Sequence, residues 1–280
     1  MTLETSRRAF AEELRAVAHL SSQPLVEAFA RVPREHFLGP GPWQIGNPVS
    51  RERIYRTTDD DDPRHIYHDV LVALDPAREL NNGQPSALAR WIEALALVPG
   101  ERVLHVGCGV GYYTAILAEL VGPGGRVVGY EVDAGLAGKA QALLAGWPQV
   151  EVHAADGGEA VGTFDAMFIN AGVTVPHAAW LDALAPGGRM IVPLTVHFPG
   201  VPGGVGGMVR IDRGTDGWPI RVVSSVGMYD CTSARDPAHE AELRALLQPG
   251  ASAGLRVVER APHERGPACL AHLPGFCLQR

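Results

Sequence analysis

The sequence predicts an α/β protein with a Rossmann-like open sheet of seven strands, mostly parallel, helices on both faces and an antiparallel hairpin towards the carboxyl-terminal side. Three observations lead there. A buried-strand pattern, Val103-Leu104-His105-Val106, runs into Gly107-Cys108-Gly109-Val110-Gly111 and then into a helical run from Thr114 to Leu120. The alternate glycines allow a tight turn and a close backbone approach to a ligand. The helix start that follows offers unpaired N–H groups to an anionic group. About twenty residues further on, Arg126-Val127-Val128-Gly129-Tyr130 ends in Glu131, whose carboxylate is placed to accept the ribose hydroxyls of a nucleoside. Two more strand patterns, Val150–Ala155 and Phe164–Ile169, end in Asp156-Gly157 and in Asn170-Ala171-Gly172. An open parallel sheet presents its ligand contacts at such strand ends.

Taken in order, apolar residues at Phe10, Leu14, Val17, Leu20, Leu25, Phe29 and Val32 predict one or two amphipathic helices, broken near Ser21-Ser22-Gln23-Pro24. From Phe37 to Leu80 the chain is rich in proline, glycine and charge and reads as an irregular cap. Its run Asp59–Asp62 reads as a solvated loop, because four consecutive side chains do not converge on one cation. His65 and His68 lack a third ligand in sequence, so no metal site is expected. Asn81-Asn82-Gly83 reads as a turn before a helix through Trp91–Leu95. Later helices are expected over Leu136–Trp147 and Pro176–Leu184, the second ended by Pro186-Gly187-Gly188, with a fifth strand over Arg189–Pro193. Leu194–Phe198 and Gly207–Ile211 read as antiparallel strands joined by the glycine-rich stretch Gly200–Gly207. That stretch lacks the Lys-Ser/Thr and helix start of a phosphate cradle. A short helix is expected over Ala238–Leu247. The division expected is 1–80 for the helices and cap, 81–226 for a ligand-binding core and 227–280 for an extension packed on it.

Composition narrows the function. No apolar run reaches the roughly 20 residues of a spanning helix, and the first residues lack the apolar segment of a secretory signal, so a cytoplasmic protein without a membrane partner is expected. The formal net charge of −7 argues against a general nucleic-acid binder. Cys108, Cys231, Cys269 and Cys277 include no Cys-x-x-Cys pair and read as reduced thiols.

Over roughly residues 5 to 225 the chain resembles the class I S-adenosylmethionine-dependent methyltransferases, and within them the protein-L-isoaspartate O-methyltransferase group. Besides the glycine turn, the resemblance rests on Val32-Pro33-Arg34-Glu35-His36-Phe37, Gln84-Pro85-Ser86, Trp91–Leu95, Pro99-Gly100-Glu101-Arg102, Phe164-Asp165-Ala166 and Leu184–Pro193. It implies S-adenosyl-L-methionine as cofactor and S-adenosyl-L-homocysteine as product. It further implies cofactor contacts from His105, Gly107, Cys108, Gly109, Gly111, Tyr112, Glu131, Val132, Asp156, Gly157 and Asn170, with Asp156 near the adenine amine. Two departures stand out. His105 occupies a position where relatives carry an acidic residue that reaches the cofactor. Gly83 stands where the family has a Ser or Thr associated with the acceptor site, which leaves Asn82, Gly83 and Ser86 as the acceptor-site segment. The activity implied is carboxyl O-methylation of an aspartyl or isoaspartyl group in a protein or peptide. Because of Gly83, a different peptide or small-molecule acceptor and a cofactor-binding module without turnover stay open. For the tail, an altered acceptor pocket, a dimer contact and a simple completion of the fold stay open, and the sequence does not specify an oligomeric state.

Overall fold

The computed structural model describes residues 2–47, 55–215, 217–246, 257–260, 264–273 and 275–279, in two compact units. The first unit comprises residues 1–100, 108–127 and 133–152, and the second residues 101–107, 128–132 and 153–280. Among the described residues no helix is long and apolar enough to cross a membrane.

In the first unit, α1 (Leu3–Ala18) and α2 (Gln23–Arg31) are two helices, separated where the sequence places the break. Ser22 caps α2 by accepting the Leu25 N–H, and Pro24 sits in its first turn, where no N–H is needed. Their apolar stripes meet through Phe10 and Phe29, edge to face at 6.3 Å. A short helix follows, α3 (Arg34–Leu38). The predicted irregular cap is instead a small antiparallel sheet of β1 (Gln44–Gly46), β2 (Tyr55–Thr57), β3 (Leu71–Asp75) and β4 (Leu80–Asn81), in the order β2-β1-β3-β4. Strands of two to five residues carry too little alternation to be read in sequence, and what holds them is a local core of Trp43, Ile66 and Val72. The acidic run is a loop as expected: Asp60 bonds the Asp62 N–H and His65, and Asp62 caps the turn at Arg64. Next comes α4 (Pro85–Leu95).

The remaining elements are β5 (Arg102–Val106), α5 (Tyr112–Val121), β6 (Arg126–Tyr130), α6 (Ala134–Leu143), β7 (Val150–His153), β8 (Phe164–Ile169), α7 (Ala178–Ala183), β9 (Leu184–Val196), β10 (Gly204–Asp212), β11 (Trp218–Met228), α8 (Glu240–Leu246), β12 (Val257–Glu259), β13 (Cys269–Leu273) and β14 (Phe276–Gln279). The strand order of the large sheet is β13-β14-β12-β11-β10-β9-β8-β5-β6-β7. Parallel pairs join β5 to β8 and β8 to β9, while β9, β10 and β11 pair antiparallel. The seven strands from β7 to β11 in this order form the expected mostly parallel sheet with its antiparallel hairpin, and three tail strands extend it. The second unit's core includes Leu104, Phe164, Met167, Trp180 and Met190 and continues into the tail through Ala271, Leu273, Phe276 and Leu278.

Several boundaries differ from the sequence reading. Helix α7 stops at Ala183 and β9 begins at once, so Pro186-Gly187-Gly188 does not end a helix. Gly187 (φ +74°) lies at an irregularity of the β8–β9 register, with its N–H bonded to Arg213 O at 3.0 Å. Helix α6 ends at Leu143, four residues early, and Trp147 lies in the turn after it. The tail helix is a tight turn, Pro237–His239, running into α8, and position 247 lies outside the described residues.

Candidate cofactor and acceptor sites

The second unit carries the polar ends of β5, β6, β7 and β8. Gly107 leaves β5 at φ +72°, its N–H bonded to Tyr130 O at 2.8 Å, and a Cβ there would stand 3.0 Å from Asn170 O. Only glycine fits that approach of two strand ends. Glu131 follows β6, is 8% exposed and donates its backbone N–H to His153 O at 3.0 Å. Beside it Val132 is 58% exposed, an apolar side chain open to solvent. Asp156 caps the turn at Gly157–Glu159 by accepting the Gly158 N–H at 2.7 Å. The buried Trp180 indole donates to Gly157 O at 2.7 Å and holds that turn.

Asp156 has partners that no local reading shows. Its carboxylate accepts the hydroxyls of Thr232 and Ser233, from the segment after β11. Burial pushes the carboxyl up, but the bonds from Ser233, Thr232 and the Gly158 N–H outweigh it and hold the group below the usual carboxylate range. A separation of more than 70 residues hides this contact from any sequence motif. His177 lies near the same turn, and its Nδ1 accepts the Ala179 N–H at the start of α7.

His105 is the penultimate residue of β5, wholly buried, its ring stacked on Phe168 with centroids 5.1 Å apart. Burial lowers its pKa to about 3, so the imidazole is neutral at pH 7. The unfolded chain takes up this proton below about pH 6.5, whereas the folded chain does so only near pH 3, so in that window the unfolded state binds more protons and acidification removes stability. Denaturant titrations should therefore show the protein losing about 1.4 kcal/mol through this group by pH 5.5, a loss absent in His105→Leu. Equal acid sensitivity in the two proteins would contradict the assignment.

The first unit carries the continuation of the glycine turn and the acceptor segment. Gly109 has φ +57°, and a Cβ there would meet nothing within 4 Å, so there is open space where a side chain would begin. Gly111 (φ +93°) precedes α5 and packs against Leu144, which a Cβ would approach to 2.6 Å. Cys108 is buried, and Tyr112 opens α5, 1% exposed and ringed by Phe29, Phe37 and Tyr113.

Asn81, Asn82 and Gly83 form a turn in which Asn81 Oδ1 accepts the Gly83 N–H at 2.9 Å. Gly83 has φ +75°, and a Cβ would stand 2.9 Å from Leu88 Cδ2, so a serine at this position is strained and restoring the family hydroxyl is not a neutral change. Ser86 is already engaged: its N–H and Oγ donate to the two Asp69 oxygens at 2.8 and 2.6 Å, and Gln84 Nε2 donates to Asp69 at 3.0 Å. Two donors close to Gly83 are not engaged, in addition to the Tyr112 hydroxyl in the first turn of α5. Asn82 Nδ2 and Tyr113 Oη are buried without a hydrogen-bond partner in the protein, and the Tyr113 ring lies 3.9 Å from where a Gly83 Cβ would stand. Burial holds the Tyr113 phenol well above its ordinary pKa, so it remains a donor at pH 7.

The strand order, the glycine turn after β5 and the acidic residues after β6 and β7 define the class, an S-adenosylmethionine-dependent methyltransferase of the class I fold. The chain belongs to the protein-L-isoaspartate(D-aspartate) O-methyltransferase family, whose model matches residues 54–199. It is 33% identical over 195 residues to the protein-L-isoaspartate O-methyltransferase of Aeropyrum pernix, covering 68% of this chain and 66% of that one. With the enzyme of Rhodopseudomonas palustris it shares 32% over 202 residues, covering 70% and 79%. Among solved structures it is similar to a protein-L-isoaspartate O-methyltransferase at TM-score 0.63 and 23% identity, covering 80% of this chain and 65% of that one. A β-aspartate methyltransferase from Plasmodium falciparum in complex with S-adenosyl-L-homocysteine matches at TM-score 0.61 and 16% identity, covering 81% and 98%. These two structural matches show the fold. Residues 200–280 lie outside the stretch that matches the family.

Proposed function

We propose that the protein transfers a methyl group from S-adenosyl-L-methionine to the free carboxylate of an isoaspartyl residue in a protein or peptide. The observation that carries the acceptor is a pair of buried, unengaged donors: Asn82 Nδ2, in the segment where the family places its acceptor hydroxyl, and Tyr113 Oη, on α5 with its ring near Gly83. A buried donor without a partner costs about 1–3 kcal/mol, and a carboxylate oxygen offers the missing acceptor. The names of the relatives at 32 and 33% identity support the same substrate class.

The residues present fit the cofactor. Gly109 offers open space where a Cβ would stand, Glu131 a largely buried carboxylate suited to two vicinal hydroxyls, and Val132 an exposed apolar face for a base. Asp156, held by Thr232 and Ser233, is assigned to the adenine amine, and the remaining cofactor contacts are assigned to Cys108, Gly111 and Tyr112 of the glycine turn and to Gly157 and Asn170 after β7 and β8. When bound, the cofactor supplies an electrophilic methyl on a sulfonium and leaves as S-adenosyl-L-homocysteine. The chain's task is to hold and orient, an effect worth up to about 7–11 kcal/mol. An isoaspartyl carboxyl ordinarily titrates at about pH 4 and is ionised at pH 7, so no general base is required. That agrees with the engagement of His177 in a helix cap and with His68 facing Glu13 at 3.8 Å. The four cysteines are thiols and not disulfides, which suits a reducing compartment and supports a cytoplasmic setting. The division at 80 and 226 then separates the cap, a methyl-transfer core and a tail that touches the core at Asp156.

Radiolabelled methyl transfer to an isoaspartyl peptide and to its aspartyl isomer tests the reading. Methylation of the isoaspartyl peptide alone is expected, and Asn82→Ala and Tyr113→Phe should each lower kcat/KM about ten- to hundredfold, the worth of one hydrogen bond to a charged group. A specific observation favours a second reading, a different acceptor: Gly83 lacks the hydroxyl, and the tail beyond the family match supplies two hydroxyls to Asp156. Methylation of other peptides or small molecules with none on the isoaspartyl peptide would decide for it.

A further inference from the structure

The tail hairpin brings together three side chains that chemistry seldom leaves idle. Strands β13 and β14 pair antiparallel with Cys269 opposite Gln279, Ala271 opposite Leu278, His272 opposite Cys277 and Leu273 opposite Phe276. In a regular strand residues 269 and 272 point to opposite faces, because their separation is odd. Here the register shifts between Cys269 and Ala271, so Leu270 is the extra residue of a bulge and Cys269 turns to the face of His272. Cys277 and Gln279 share that face. The opposite face, Ala271, Leu273, Phe276 and Leu278, is buried in the core, which pins the hairpin's orientation.

The consequence is that Cys269 Sγ, a His272 ring nitrogen and Cys277 Sγ all lie within 4.8 Å of one another. Tetrahedral zinc with Zn–S bonds of about 2.3 Å sets its sulfurs about 3.8 Å apart, so side-chain rotation of an ångström or less closes these atoms on one ion. We propose that Cys269, His272 and Cys277 form a zinc site that staples the two strands of the tail hairpin. Two thiolates and an imidazole are the donor set that selects zinc over magnesium or calcium. The fourth position falls to water. Glu242 stands beside the hairpin, but its Oε2 accepts the His272 backbone N–H at 3.1 Å and its Oε1 accepts from Arg265 at 2.7 Å, so both oxygens are engaged. The charges then balance, two thiolates against the ion and Glu242 against Arg265. The spacing Cys-x2-His-x4-Cys holds the only local signal of the site, and the bulge that makes it work is invisible in sequence.

The experiment uses the full chain, freed of metal under reducing conditions and titrated with zinc and separately with cobalt, with elemental analysis after dialysis. Expected are about one zinc retained per chain and, with cobalt, the thiolate charge-transfer band and intense visible bands of a tetrahedral site. Cys269→Ser, His272→Gln and Cys277→Ser should each weaken zinc at least about a hundredfold and lose the charge-transfer intensity, while Cys231→Ser should leave both unchanged. Circular dichroism of each variant separates loss of the site from loss of the fold, and the cobalt spectrum of the unaltered chain stands whatever the variants do. Absence of stoichiometric zinc, zinc held undiminished by Cys269→Ser together with Cys277→Ser, or a Cys269–Cys277 disulfide in mass spectrometry of non-reduced protein would each overturn the proposal. None of these readouts depends on methyl transfer, so the two readings fail separately.

Discussion

Gly109→Val is expected to leave the protein folded and at least about a hundredfold weaker for S-adenosylmethionine, a loss near 2.7 kcal/mol by calorimetry. The backbone at Gly109 is left-handed at φ +57°, and a valine there carries a strain of about 1–2 kcal/mol or somewhat more. A Cβ meets no protein atom within 4 Å, so the added branch does not disturb packing and instead occupies the open space proposed for the ligand. Gly122→Val is the matched control: Gly122 follows α5 at φ +65°, also with nothing within 4 Å of a Cβ. Both variants should unfold cooperatively at a lowered temperature, and only Gly109→Val should lose the cofactor. Equal binding by the two would remove the glycine turn from the cofactor site.

Arg34→Met is expected to cost about 3–5 kcal/mol of stability. Arg34 is wholly buried; its Nη1 donates to Ile66 O at 2.5 Å and His68 O at 3.0 Å, and its Nη2 to Val70 O at 3.1 Å. Its guanidinium also lies over the Phe10 ring at 5.5 Å and the Tyr112 ring at 6.0 Å. A methionine fills much of the volume but leaves three carbonyls without their donor. Lysine cannot replace the planar fork that reaches all three, so Arg34→Lys should recover little. The effect should extend to the acceptor segment. The strap that Arg34 ties, residues 66–70, includes Asp69, which orients Ser86 and Gln84 at the start of α4. Urea titration reads the stability, and methyl transfer well below the unfolding zone should show a raised KM for the peptide. A loss under about 1 kcal/mol would show that the strap is held by other means.

The core of the molecule was legible because its signals are local. A buried strand, three alternate glycines and a helix start lie within 20 residues, and Glu131 and Asp156 close the next two strands where apolar runs give way to charge. Period and spacing suffice for such features, since backbone sterics and burial act over one or two turns of chain. The small sheet of β1 to β4 gave no such pattern, and its strands exist because Trp43, Ile66 and Val72 bury one another. Gly83 shows the limit at a single residue. Sequence showed that a hydroxyl is missing, and the structure showed that Asn82 and Tyr113 are the donors left unengaged beside it.

By itself the sequence determined the order of the core elements from α4 to β11, the parallel sheet with its glycine turn, and the acidic residues at the strand ends, for each of these follows from short-range periodicity and chain geometry. Tertiary structure alone decided that Arg34 ties residues 66–70, that Thr232 and Ser233 hold Asp156, and that a bulge at Leu270 turns Cys269 towards His272 and Cys277. Those pairings join groups far apart in the chain or depend on a one-residue shift of register. They are selected by the cost of leaving buried polar atoms unpaired and apolar faces uncovered, which only the assembled fold makes definite.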